Sequence, residues 1–174
     1  TKFLELDSGY DASTSSAVWD DTEPTDKVFT VGNAITTNNA GSNYVAYLFA
    51  DTPDGGIKCG MVQGQAEFTL PFKLGWIVFK VSNGSASSWR IQDSVRGIVD
   101  YGDTSYYLEP DNQEFDKQGS YIGLVSTDGT NYTYKIDWGV QDIVYVAIAD
   151  TTVLFYDEAA GRTVTNHTLT KRYG

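Results

Sequence analysis

The chain is 174 residues long, 41% hydrophobic and 14% aromatic, and its formal net charge is −11. That length buries a real core, as one domain or one and a half small ones. The acidic balance excludes the basic face that nucleic acid or an anionic membrane surface requires. A lone cysteine, Cys59 in the apolar alternation IKCGMV, excludes an intrachain disulfide and reads as a buried, inert thiol. There is no apolar run of about 18 residues, so no membrane insertion is expected.

In chain order, residues 3–6 (FLEL) alternate as a short strand, and 7–16 are small and polar, hence loop. Segment 19–26 (WDDTEPTD) combines Pro24 with acidic residues and reads as turn-rich, anchored by Trp19. Strands are predicted at 27–31 and 44–50, flanking an Asn-rich loop at 33–43. The run DTPDGG at 51–56 joins Pro, Asp-Gly and Gly-Gly, the clearest turn signal in the chain, and marks a module boundary.

Strands follow at 57–63, 66–70, 74–81, 88–92, 105–108, 121–126, 132–138 and 143–149, with one more at 151–155. Each is short, rich in β-branched and aromatic residues, and bounded by turn formers. The polar remainder, 157–174, is a linker or the start of a further unit. Sustained helical periodicity is absent. The pattern predicts an all-β protein, a sandwich or barrel, with more than about 40% strand and less than about 10% helix. The continuous runs LGWIVFKV and VYVAIA are expected to be central strands covered on both faces.

The sequence also repeats itself. Residues 28–51 and 121–150 share one layout: an alternating strand, a Gly/Asn/Thr loop, and an apolar closing strand, YVAYLFAD in one case and YVAIAD in the other. A period near 100 residues is too long for a solenoid and suits a domain-sized unit in tandem. The chain is therefore divided into 1–50, the C-terminal half of a preceding unit packed with the next, then 51–150, the main sandwich module, and 151–174, a terminal strand and linker. Beginning partway through a unit, and without Met, it is expected to be a piece of a longer protein.

Catalytic chemistry has little support. His167, the single histidine, lies in the polar C-terminal stretch, which argues against a Ser-His-Asp triad and against a multi-His zinc site. Glu67, Asp93, Glu109, Glu114 and Asp137 are candidates for paired carboxylates, but among 23 acids such residues carry little information. The oxygen-rich loops 51–56, 100–104 and 126–132 lack EF-hand spacing and read as turns, so no metal or cofactor is expected.

Trp89, Tyr101, Tyr106 and Tyr107 cluster around SWRIQDSVRG and are candidates for stacking on a glycan; the competing reading has Trp89 filling the core and Tyr106 and Tyr107 split between faces. In the same stretch, Trp89 and Ile91 are expected to face inward, and Arg90 and Gln92 outward. Asp93 and Arg96 are expected to form a clasp that Gly97 closes at positive φ.

WDDTEPTDKVFTVG, GSNYVAYLFAD, LGWIVFKVSNGSASSWRIQDSVRG and YVAIAD, in that order, resemble a module found in tandem in bacteriophage virion proteins of the tail-fibre and appendage type. The resemblance covers roughly 150 residues. It rests on the strand Trp76 to Lys80 that ends in a basic residue, on Trp89 to Gly97, and on the leucine-containing stretch Tyr106 to Pro110. The second copy lacks the W-x-x-T-x-P-T segment that the first carries at 19–25.

The resemblance implies an antiparallel β-sandwich of jelly-roll or concanavalin-like type. It implies a non-enzymatic structural part of a virion's exterior appendage, made in the host cytoplasm, that contacts other virion subunits as a homo-oligomer. Host-surface attachment through a cell-surface glycan would follow. A carbohydrate-binding module is the alternative, with a sandwich-type polysaccharide hydrolase behind it.

Overall fold

A computed structural model describes residues 2–52, 56–84, 87–112, 116–119, 121–150, 155–157 and 162–164. Among these, the strands in chain order are β1 Lys2–Phe3, β2 Ser13–Thr14, β3 Ile57–Gln63, β4 Glu67–Leu70, β5 Leu74–Val81, β6 Arg90–Asp93, β7 Ser105–Tyr107, β8 Lys117–Gly119, β9 Ile122–Thr127, β10 Tyr132–Ile136, β11 Asp142–Ala149, β12 Phe155–Asp157 and β13 Arg162–Val164. Two single-turn helices, α1 Ser16–Trp19 and α2 Ile35–Asn38, complete the list. Strand accounts for 39% and helix for 6%, so the protein is all-β, with a strand share just under the expected two fifths.

Two antiparallel sheets form the body: β3-β11-β5-β6 and β4-β10-β9. Their facing side chains make one core cluster, comprising Leu70, Phe72, Leu74, Ile77, Phe79, Val81, Ile122, Tyr134, Ile136, Ile143, Tyr145 and Ala147. Period-two alternation explains the membership, since Ile143, Tyr145 and Ala147 all leave β11 on one face. A large apolar side chain buried this way contributes about 1.5–3 kcal/mol. The sheets are also tied directly: the Leu74 amide donates to the Tyr134 hydroxyl at 2.8 Å, and the rings of Phe68 and Tyr145 lie 5.0 Å apart. The architecture is a β-sandwich.

β5 and β11 are central, as their apolar runs predict; β11 lies between β3 and β5, and β5 between β11 and β6. At its Lys80 end the second face of β5 is covered by the chain's own N-terminal segment. Buried Lys80 donates through Nζ to the carbonyls of Ser87 and Ser8, the Trp89 indole donates to the Glu5 carbonyl at 2.7 Å, and the Ala12 amide donates to the Ser82 carbonyl at 3.1 Å.

Several expectations need correction. The first strand ends at Phe3 and pairs with β2, which lies inside the predicted 7–16 loop. Residues 16–19 form α1, because Ser15 caps the turn by accepting from the Ala17 amide. Segments 27–31 and 44–50 belong to no sheet among the described residues. Val45, Tyr47 and Leu48 there are 79%, 82% and 75% exposed. An apolar run becomes a strand only where a ladder partner accepts its backbone groups, and these segments have none in the described chain. β8 escaped the sequence reading, being three polar residues paired with β7. The predicted strand 151–155 and the tail 157–174 lie largely outside the described residues.

Candidate functional site

β6 departs from its expected orientation, and the departure creates an organised polar cluster. Arg90 and Gln92 are buried, whereas Trp89 and Ile91 are only half-buried, the reverse of the inward and outward assignment. An arginine is tolerated there because aromatic faces and a carboxylate receive it. Its guanidinium carbon lies 3.6 Å from the Trp138 ring centroid, 4.4 Å from Tyr121 and 5.2 Å from Tyr107. The Tyr121 ring stacks on Trp138, and Tyr107 meets Tyr121 edge-on at 4.9 Å.

Arg90 Nη2 pairs with Glu109 Oε1 at 3.2 Å, and Glu109 Oε2 accepts from Lys117 Nζ at 2.8 Å and from the Asn112 amide at 3.2 Å. Burial pushes the Glu109 carboxyl up, but Lys117, Asn112 and Arg90 outweigh it and hold the group below its ordinary value. Gln92 Nε2 extends the seam, donating to Ser105 Oγ at 2.6 Å, which donates to the Gly119 carbonyl at 3.0 Å. Together these groups lock β6 to β7 and β8. A carboxylate held ionised between two cations is a poor proton donor near neutral pH, so this seam is suited to holding structure.

The clasp residues stand together at the end of β6. Arg96 Nη1 pairs with Asp93 Oδ2, while Asp93 Oδ1 accepts from the backbone amides of Val95 at 3.0 Å and Arg96 at 2.8 Å. Gly97 sits at φ +107°, where a side chain would be strained, and its amide returns to the Asp93 carbonyl at 3.1 Å. Arg96 Nε also approaches Asp116 Oδ1 at 3.5 Å.

The four candidate glycan aromatics are not one platform. Tyr107 is buried against Arg90, and Trp89 is tied to Glu5 with Lys80 Nζ 5.9 Å from its ring. Tyr106 leaves β7 on the opposite, exposed side, its hydroxyl accepting from Gln118 at 2.6 Å. Tyr101 alone borders an open groove of about 440 Å³, lined also by Asp100, Leu124, Val125, Ser126 and Thr127. The sequence reading missed Arg90, Tyr121, Trp138 and Lys117. The usable signal was W-R-I-Q together with a second tryptophan just past β10, but alternation alone cannot say which face of an edge strand is covered.

Of the carboxylate candidates, Asp137 Oδ1 accepts from the Gln65 amide, Glu67 is exposed on β4, and Glu114 lies outside the described residues, as do His167 and part of loop 51–56. The carboxylates described in loops 51–56 and 126–132 have partners: Asp51 receives Lys58 and the Cys59 amide. Asp128 accepts from the Asn131 and Thr130 amides and from the Asn131 side chain, which draws its pKa to about 2. Among the described residues, no three His, Cys, Asp or Glu side chains converge as a metal site, and no helix is long and apolar enough to cross a membrane. Cys59 is free and half-buried, and burial pushes its thiol up.

These features define an all-β sandwich closed by a buried polar seam. The chain belongs to the family described as a domain of unknown function (DUF7483), whose model matches residues 1–135. The match takes in the exposed segment 44–50 and ends within β10, before the central strand β11. No curated protein and no solved structure matches the chain.

Proposed function

We propose that the protein is a non-enzymatic structural module of a bacteriophage virion's exterior appendage, of tail-fibre type, made in the host cytoplasm and assembled through contacts with copies of itself and other virion subunits. The observation that carries this reading is segment 44–50. Its sequence YVAYLFA parallels YVAIA at 145–149, which is the central strand of the sandwich, yet Val45, Tyr47 and Leu48 stand in solvent. Both ends of the segment are held. The Tyr44 hydroxyl donates to the Ile35 carbonyl at 2.7 Å and accepts from the Asn39 amide, and Asp51 receives Lys58 and the Cys59 amide on β3.

An anchored, strand-competent apolar segment without a sheet is what a subunit contributes to an assembly, where a neighbour supplies the ladder. The order of the motifs that resemble the appendage module supports the same role. Antibody raised against the purified chain should decorate the exterior appendages of virions in electron micrographs. Particles that carry no label, or labelling of host protein alone, would refute the virion role.

A second reading, a carbohydrate-binding module, is favoured by the groove beside Tyr101. It is compatible with the first as the attachment function of the same domain.

A further inference from the structure

We infer that the outer face of the β4-β10-β9 sheet is a binding site for a neutral oligosaccharide. This rests on the attachment role proposed above and names its ligand class. The inner face of that sheet contributes Leu70, Tyr134, Ile136 and Ile122 to the core, so the alternate residues face away from it.

Cross-strand register sets these outer residues in two rows. Thr133 opposes Thr69 on one side and Ser126 on the other, and the hydroxyls of Thr69 and Thr133 lie 3.2 Å apart. Lys135 opposes Glu67 and Gly123, and its ammonium stands 4.7 Å from the Tyr101 ring. A register shift between Thr133 and Tyr134 puts Val125 at the irregularity, where it is exposed beside the hydroxyl row.

The position of Tyr101 depends on the floor beneath it. Residues 99–101 dock alongside β9 as an added edge, the Leu124 amide donating to the Val99 carbonyl at 2.9 Å and the Tyr101 amide donating to the Leu124 carbonyl at 2.8 Å. That approach is close because β9 has a glycine there: a Cβ on Gly123 would lie 2.4 Å from the Tyr101 Cα. Tyr101 is therefore a fixed, partly exposed wall, with the groove of about 440 Å³, which Asp100 also lines, in front. That volume falls within the usual range of about 300–1,000 Å³ for small-molecule sites.

An aromatic ring for sugar C–H groups, a row of hydroxyls, and the Lys135 ammonium beside the ring are the groups that bind a polyhydroxylated ring. The net charge of −11 disfavours an acidic glycan.

The test is an amide ¹H–¹⁵N titration of the intact chain with maltohexaose, cellohexaose and mannohexaose. At least one hexamer should give saturable shifts confined to residues 67–69, 100–102, 123–127 and 133–135, with affinity on the order of millimolar. Tyr101→Ala should weaken it by about tenfold or more, and the isosteric Thr133→Val by about threefold or more, each being the loss of one stacking or hydrogen-bond partner. Tyr106→Ala should leave it unchanged. Failure of all three hexamers to produce saturable shifts, shifts that map elsewhere, or binding indifferent to both the Tyr101 and the Thr133 substitutions would each overturn the inference. The assembly reading is judged separately, by light scattering without sugar.

Discussion

At the scale of single residues, Arg90 has the largest consequences. Its charge is out of water and is compensated by Glu109 and three aromatic faces. Breaking a buried pair from one side leaves the other charge poorly compensated, so Arg90→Ala should cost about 3–5 kcal/mol in urea denaturation and should shift the tryptophan emission through Trp138. The clasp is smaller and nearer the surface. Arg96→Ala should cost about 1–3 kcal/mol, and a variant as stable as the parent would mean that the pair is incidental.

The Glu109 carboxyl has its folded pKa below its unfolded value, so its contribution is complete above the unfolded carboxyl value of about 4.3 and is lost as pH falls through the folded pKa. The urea midpoint should therefore drop as pH is lowered through that window. Glu109→Gln should flatten the drop while lowering stability at neutral pH.

At the scale of elements, the two halves of the internal repeat show what a sequence pattern can and cannot specify. The closing strands YVAYLFAD and YVAIAD carry almost the same code. One is β11, with β3 and β5 on either side; the other joins no sheet among the described residues. The difference lies in available partners rather than in propensity. If a neighbouring subunit supplies that ladder, Tyr47→Lys with Leu48→Lys should abolish concentration-dependent self-association in light scattering and leave the thermal midpoint of the monomer unchanged. Association that survives the double substitution would remove segment 44–50 from the interface.

β6 carries a second lesson. Its alternation was legible, but which set faced inward was not, because the cover comes from β7, Tyr121 and Trp138, segments up to about 48 residues downstream. β8 was invisible for a simpler reason: Lys117–Gly119 has no apolar side chain and exists as a strand only through its register with β7.

At the scale of the whole molecule, the core cluster draws every member from between Leu70 and Ala147. Residues 1–50 enter the body through the contacts of Glu5, Ser8, Gly9 and Ala12 near Lys80 and Trp89. Segment 44–50 contributes nothing to that cluster, so the body is expected to fold without it. Deleting 1–50 should leave a soluble remainder that unfolds cooperatively, with a lowered midpoint because the buried Lys80 loses its Ser8 acceptor and Trp89 its Glu5 acceptor. A remainder without a cooperative transition would return the N-terminal half to the folding unit.

What the sequence determined by itself was the class of fold, the central place of Leu74–Val81 and of the run ending at Ala149, and the turn at Asp93 to Gly97. These depend on period-two alternation, continuous apolar runs and local turn chemistry, all of which act within a few residues. The tertiary structure alone decided that Arg90 is buried, that Tyr107 is spent on it, that Tyr101 borders an open groove, and that 44–50 is left in solvent. Each of those outcomes depends on what distant chain covers a face or an edge, and no local pattern encodes that.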